Sequence, residues 1–155
     1  MTRDDFIARY GALFEHSPWV VERAADLPPS DDLHARLMQP VADATPDEQL
    51  ALIRAHPELA GKAAIDRTLT EASTAEQASA GLDRLTPAEF DRFHALNRAY
   101  RETFGFPFII CVRKTDKAGI IAAMERRLPY DRATEVAAAL REIGEIVRLR
   151  LEALA

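Results

Sequence analysis

Apolar residues recur at helical spacing along most of the chain. Phe6, Tyr10, Leu13 and Phe14 share one helix face, and Leu33, Leu37 and Val41 share another. Ile120, Ile121, Met124 and Leu128 make a third face, and Val136, Leu140, Ile143, Val147 and Leu151 a long stripe. Start and stop signals separate these runs. Thr45-Pro46-Asp47-Glu48 and Thr86 with Glu89 read as capping boxes, and Ser73 with Glu76 has the same spacing. Ser17-Pro18 places a cap before a first-turn proline, Ser30 stands before the Leu33 helix, and Asp131 before the last one. Pro40 should kink or end its helix, and Pro57 should stop the fourth at His56. Gly105 closes a long helix through Phe90, Phe93, Asn97, Tyr100 and Phe104. The stretch from Phe106 to Val112 is aromatic and β-branched, too short for an ordinary helix, and reads as extended with no partner strand. The expected fold is all-α: one compact domain over residues 1–155 with about seven or eight helices and one extended, non-helical segment.

Composition narrows the function. The 155 residues are 48% hydrophobic, enough for a sizeable core. Twenty basic and 25 acidic residues are interspersed, and the net charge of -5 weighs against a nucleic-acid partner. No apolar run approaches the roughly 20 residues of a membrane span. The polar start, Met1 to Asp5, does not resemble a signal peptide, so a cytoplasmic location is expected. With Cys111 as the single cysteine there is no intrachain disulfide and no cysteine-based metal site. The four histidines are scattered without a His-Glu-x-x-His pattern, so no metal is expected. There is also no phosphate-binding glycine loop and no Gly-x-Ser-x-Gly elbow.

A few residues could carry chemistry. His16, His34 and His94 sit on polar or amphipathic faces and suit solvated or partly packed roles. His56 differs, because a helix end before a proline projects a side chain from a rigid turn. It could equally cap that helix. Glu76 could close a capping box with Ser73 or turn inward as a reacting carboxylate. The helix start near Ser73 could receive an anion, and the Gln77 amide could both donate to and accept from a urea-like group. An extended strip leaves backbone groups in need of partners, and a flat ligand rich in N–H and C=O could supply them. Cys111 within that strip reads as a small buried residue and not as a nucleophile.

Four segments, in order along nearly the whole chain, resemble the 2-oxo-4-hydroxy-4-carboxy-5-ureidoimidazoline (OHCU) decarboxylase family. They are Phe14-Glu15 with Ser17-Pro18-Trp19; His56-Pro57-Glu58-Leu59-Ala60-Gly61-Lys62-Ala63-Ala64; Ser73-Thr74-Ala75-Glu76-Gln77 with Ala80-Gly81-Leu82; and Leu96-Asn97-Arg98-Ala99-Tyr100 with Phe104 through Arg113. The resemblance implies an all-helical homodimer that needs no cofactor and acts on a small ureide. It implies His56 as the catalytic acid and Glu76 as a catalytic or orienting carboxylate. It places Pro57, Ser73, Thr74, Ala75, Glu76, Gln77, Phe108, Ile109, Ile110, Cys111 and Val112 around the substrate. In such a substrate the carboxylated carbon adjoins a ring C=N bond that can take up the electron pair. A histidine with an ordinary pKa of about 6.5 suits the proton transfer that follows. Lys62 and Arg113 are expected as solvated charges. A helical module that binds a ureide without reacting it would use the same pocket.

Overall fold

The computed structural model describes residues 1–61 and 69–154. Lys62, Ala63 and Ala64, and the stretch to Thr68, lie outside the described residues. Eight α-helices run through the rest: α1 (Arg3–Tyr10), α2 (Pro18–Ala25), α3 (Leu33–Asp43), α4 (Pro46–Arg54), α5 (Glu71–Ser79), α6 (Pro87–Phe104), α7 (Lys117–Arg127) and α8 (Arg132–Ala153). No strand occurs among the described residues.

Side-chain caps set most of the starts. Thr45 with Glu48 and Thr86 with Glu89 form complete capping boxes, and Asp131 caps α8. Gly105 ends α6 at φ 80°, a left-handed conformation that glycine adopts without penalty. Four local expectations are corrected. Ser17 stands at the start of α2 but makes no side-chain cap bond. Asp32, not Ser30, caps α3 by accepting from the Ala35 amide; the Ser30 hydroxyl instead accepts from the Asp32 amide at 3.1 Å. Pro40 does not end α3, which runs on to Asp43. It sits in the last turn, where a missing N–H forfeits only one ladder bond. The extended segment stops at Cys111, because Val112–Lys114 forms a 3-10 turn.

The core gathers Phe14, Leu37, Leu52, Ile53, Phe93, Tyr100, Phe106, Phe108, Ile120, Met124 and Ile143. On the α8 stripe, Ile143 and Val147 are buried, while Val136, Leu140 and Leu151 are half-buried against the same core. None of the helices among the described residues is long and apolar enough to cross a membrane.

Candidate active site

His56 leaves the end of α4 with its amide bonded to Ile53 O at 3.1 Å. It is 7% exposed. Its Nδ1 lies 2.9 Å from the Leu52 carbonyl, and a carbonyl only accepts, so Nδ1 carries the proton. That leaves Nε2 for the pocket. Burial pushes the imidazole below its ordinary pKa, against the Leu52 bond and the charge of Glu15. The resting ring is therefore neutral, with a bare Nε2 lone pair.

The loop beyond it is held from both sides. The Gln77 side chain accepts from Ala60 N–H at 3.0 Å and donates to Glu58 O at 3.4 Å. Asn97 donates to Leu59 O at 2.8 Å. Between these clamps Ala60 sits at φ 54°, a strained angle for a residue with a Cβ.

Helix α5 begins one turn earlier than Ser73 suggests. Thr70 is its cap, accepting from Ser73 N–H at 3.2 Å. Glu76 therefore lies mid-helix and faces inward rather than closing a box. It takes Arg150 of α8 in a two-point grip, with Nε–Oε2 and Nη2–Oε1 both 2.8 Å. The anion at this helix start is a protein group: Glu15 accepts from the hydroxyls of Thr70 and Ser73.

The extended strip forms the facing wall. Its backbone groups alternate sides, as in any extended chain. Ile109 O accepts from Arg127 Nη1 at 2.8 Å, and Cys111 N–H donates to Glu142 at 3.2 Å. These outward groups are thus satisfied, which turns the peptide groups of Ile110 the other way. Arg127 is itself fixed by Glu135 at 2.8 Å and lies over the Phe108 ring. Burial raises the Cys111 thiol pKa, so it rests protonated and poorly nucleophilic.

These walls enclose a pocket of about 490 Å³, its mouth included. It brings together His56, Pro57, Ser73, Glu76, Gln77 and the strip from Phe108 to Val112. Thr74 and Ala75, expected beside a substrate, are exposed on the outer face of α5 and do not line it. Successive helical residues turn by about 100°, so one face of α5 cannot present all five residues. Gln77 lines the pocket, but its carboxamide is largely spent on the Glu58–Ala60 backbone. His16, His34 and His94 lie elsewhere. Among the described residues no cluster of His, Cys, Asp or Glu could hold a metal ion.

The sequence pattern of the family described as OHCU decarboxylase matches residues 1–152. The chain belongs to this family. A Haloferax volcanii protein named 2-oxo-4-hydroxy-4-carboxy-5-ureidoimidazoline decarboxylase is 45% identical over 152 residues, covering 96% of this chain and 88% of that one. A crystal structure of (S)-allantoin synthase superposes with a TM-score of 0.73 at 28% identity; the match covers 99% of this chain and 53% of that chain. A crystal structure of OHCU decarboxylase in the presence of (S)-allantoin superposes with a TM-score of 0.74 over 97% of this chain and 96% of that chain. At 19% identity, the latter likeness speaks to the fold alone.

Sequence reading missed two residues, one lining this OHCU decarboxylase-family pocket and one bonded to its lining. Arg150 is 8% exposed and lines it. The available signal was its register: it follows Ile143 and Val147 on the buried face of α8, where an unpaired arginine has no reason to be. Glu15 belongs to a segment that resembled the family but suggested no chemistry. Arg113 does line the pocket, from an exposed position at its mouth.

Proposed function

We propose that this protein decarboxylates OHCU to (S)-allantoin, in the breakdown of urate, with residues 1–155 acting as one catalytic domain. The observation that carries the reading is one mostly apolar pocket with three unlike walls. A neutral imidazole faces it from His56, a buried guanidinium from Arg150, and an apolar strip from residues 108–112 whose Ile110 peptide groups point away from the Arg127 and Glu142 bonds.

The carboxylate and a hydroxyl share one ring carbon, next to the C=N carbon that bears the ureido group. When the C–CO2 bond breaks, its electron pair forms a C=C bond, and the C=N pair moves onto nitrogen, which takes a proton from solvent at the pocket mouth. Carbon dioxide leaves, and the product of this step is an enol. The substrate supplies its own electron sink, so the step needs neither a metal nor an organic cofactor. To reach allantoin, the enol loses its hydroxyl proton and gains one at the ureido-bearing carbon. Neutral His56 suits this relay: Nε2 takes the hydroxyl proton, becomes an imidazolium, and returns it to carbon on the face it covers. The resemblance implied a resting acid; in this reading the ring acts first as a base. Positioned proton transfer of this kind contributes about 10²–10⁴-fold.

Arg150 meets the anionic end of the substrate, and Glu76 orients Arg150 from behind. Pro57 and the side chains of Phe108 and Val112 keep water from the departing carboxylate. The peptide edge at Ile110 pairs with the ureido group and so selects which ring face meets His56. The working form in this reading is a cytoplasmic homodimer, which light scattering of the purified protein would test.

The test is a coupled assay. Urate oxidase and hydroxyisourate hydrolase generate OHCU in the cuvette, and this protein is then added. Faster loss of the ultraviolet-absorbing intermediate, with optically active allantoin as product, is expected. Decay at the spontaneous rate to racemic allantoin would remove the reading and favour a ureide-binding module.

A further inference from the structure

Glu15 is a buried ionisable side chain to which the mechanism above gives no task. It is 3% exposed, in the turn between α1 and α2. Thr70 donates to it at 2.7 and 3.1 Å, and Ser73 donates through its hydroxyl. The next residue, His16, is held at φ 47°, an uncommon angle outside glycine that turns the chain back after Glu15.

The hydrogen bonds have a direction. The Ser73 hydroxyl gives its proton to Glu15, and its lone pair then accepts from Arg150 Nη2 at 3.4 Å. Arg150 Nη2 also lies 3.6 Å from the Glu15 carboxylate itself. Arg150 Nη1 donates to Leu13 O at 3.3 Å, two residues before Glu15. A guanidinium has five N–H donors. Two go to Glu76, one to Ser73 and one to Leu13, so among the described residues a single Nη1 donor remains.

We infer that Glu15 is a positioning residue for the decarboxylation: acting through Ser73, it fixes Arg150 so that one N–H, rather than a two-point fork, meets the substrate carboxylate. A single bond locates the group without holding it as tightly as a fork would, which suits a group that must leave as a neutral gas. The inference rests on the decarboxylase reading. It also bears on His56. The charged groups that act on the imidazole are Glu15 from the α1–α2 turn, Glu76 from α5 and Arg150 from α8. The Glu15 and Glu76 charges favour the imidazolium formed during the relay; that of Arg150 opposes it.

The experiment compares wild type with Glu15→Gln, Glu15→Asp and Ser73→Ala in the coupled assay across pH. Gln still accepts from both hydroxyls but carries no charge. Glu15→Gln is expected to lower kcat by about 10- to 100-fold, the scale of a misaligned contact. Its acid limb should move to lower pH, because His56 loses a charge that favoured protonation. Glu15→Asp should recover part of the loss. A Glu15→Gln protein with kcat, KM and acid limb all like wild type would overturn the inference even if it melted lower. If Glu15→Gln does not fold, Ser73→Ala decides: it keeps both charges and cuts the link, and unchanged kcat there overturns the inference equally. An inert wild type would instead sink the decarboxylase reading and this inference with it.

Discussion

Replacing Arg150 by Met should expose how much of the structure leans on one guanidinium. The methionine chain follows much of the arginine stem, so little cavity is expected. The charge, however, vanishes from between two buried carboxylates. Wild type holds Glu76 by two contacts of 2.8 Å, from Nε and Nη2, with Glu15 3.6 Å from Nη2. Removing one partner of a buried pair costs about 3–5 kcal/mol, mostly because the other charge is stranded. With two anions stranded, the upper part of that range applies. For a chain of this length about 4–5 kcal/mol corresponds to roughly 8–20 °C in Tm. Urea unfolding followed by far-ultraviolet circular dichroism would measure it. The pH dependence gives the sharper check. Protonation relieves a stranded carboxylate, so the deficit should shrink between about pH 7.5 and pH 5. Wild type has its own acid loss over this range. Burial depresses the folded pKa of His56, so the unfolded chain binds that proton first. Stability is thus full above about 6.5 and lost as pH falls toward the lower folded value. Variant and wild type are therefore compared within each pH. A deficit below about 1 kcal/mol, or one equal at both pH values, would refute the reasoning.

Three further outcomes follow from the site. His56→Asn should keep the fold while kcat falls by about 10²–10⁴-fold. In wild type, kcat/KM should rise with pH and level off above a midpoint lying below the ordinary histidine pKa, because burial lowers it; persistence of this limb in His56→Asn would assign it to another group. Gln77→Ala removes the clamp on Ala60 N–H and Glu58 O. It should cost about 1–3 kcal/mol in urea unfolding and lower kcat as well, since His56 leads into that loop. A stability loss with unchanged kcat would show that the loop does not need the clamp to aim the ring.

What could be read from the sequence was mostly local. The Thr45–Glu48 and Thr86–Glu89 boxes close within one turn, so four residues suffice to see them. Gly105 and the His56-Pro57 break are equally self-contained. The extended strip was visible because β-branched and aromatic residues crowd a span too short to coil. The α5 start was misplaced by one turn because Thr70 and Ser73 offer competing caps at the same spacing. Only the fold decides between them: Glu15, 55 residues from Thr70 and 58 from Ser73, takes the proton of both hydroxyls, and Arg150 donates to the Ser73 oxygen that a cap would need. Arg150 eluded the reading for the same reason. Its partner Glu76 lies 74 residues away and the Leu13 carbonyl 137. Its register after Ile143 and Val147 marks it as buried, but nothing near it in the chain names its partners.

The bond from Arg150 to Leu13 has a consequence for biosynthesis. The turn that carries Glu15 emerges from the ribosome well before α8, with 137 residues separating Leu13 from Arg150, and must wait for its counter-charge to arrive. Until α8 is free to dock, Glu15 and Glu76 cannot be buried without stranding their charges. A nascent chain that already contains His56 and the apolar strip should therefore stay open and hydrated at this point. The pocket would close late, as a final act of assembly, which argues against any partial chain short of Arg150 possessing it.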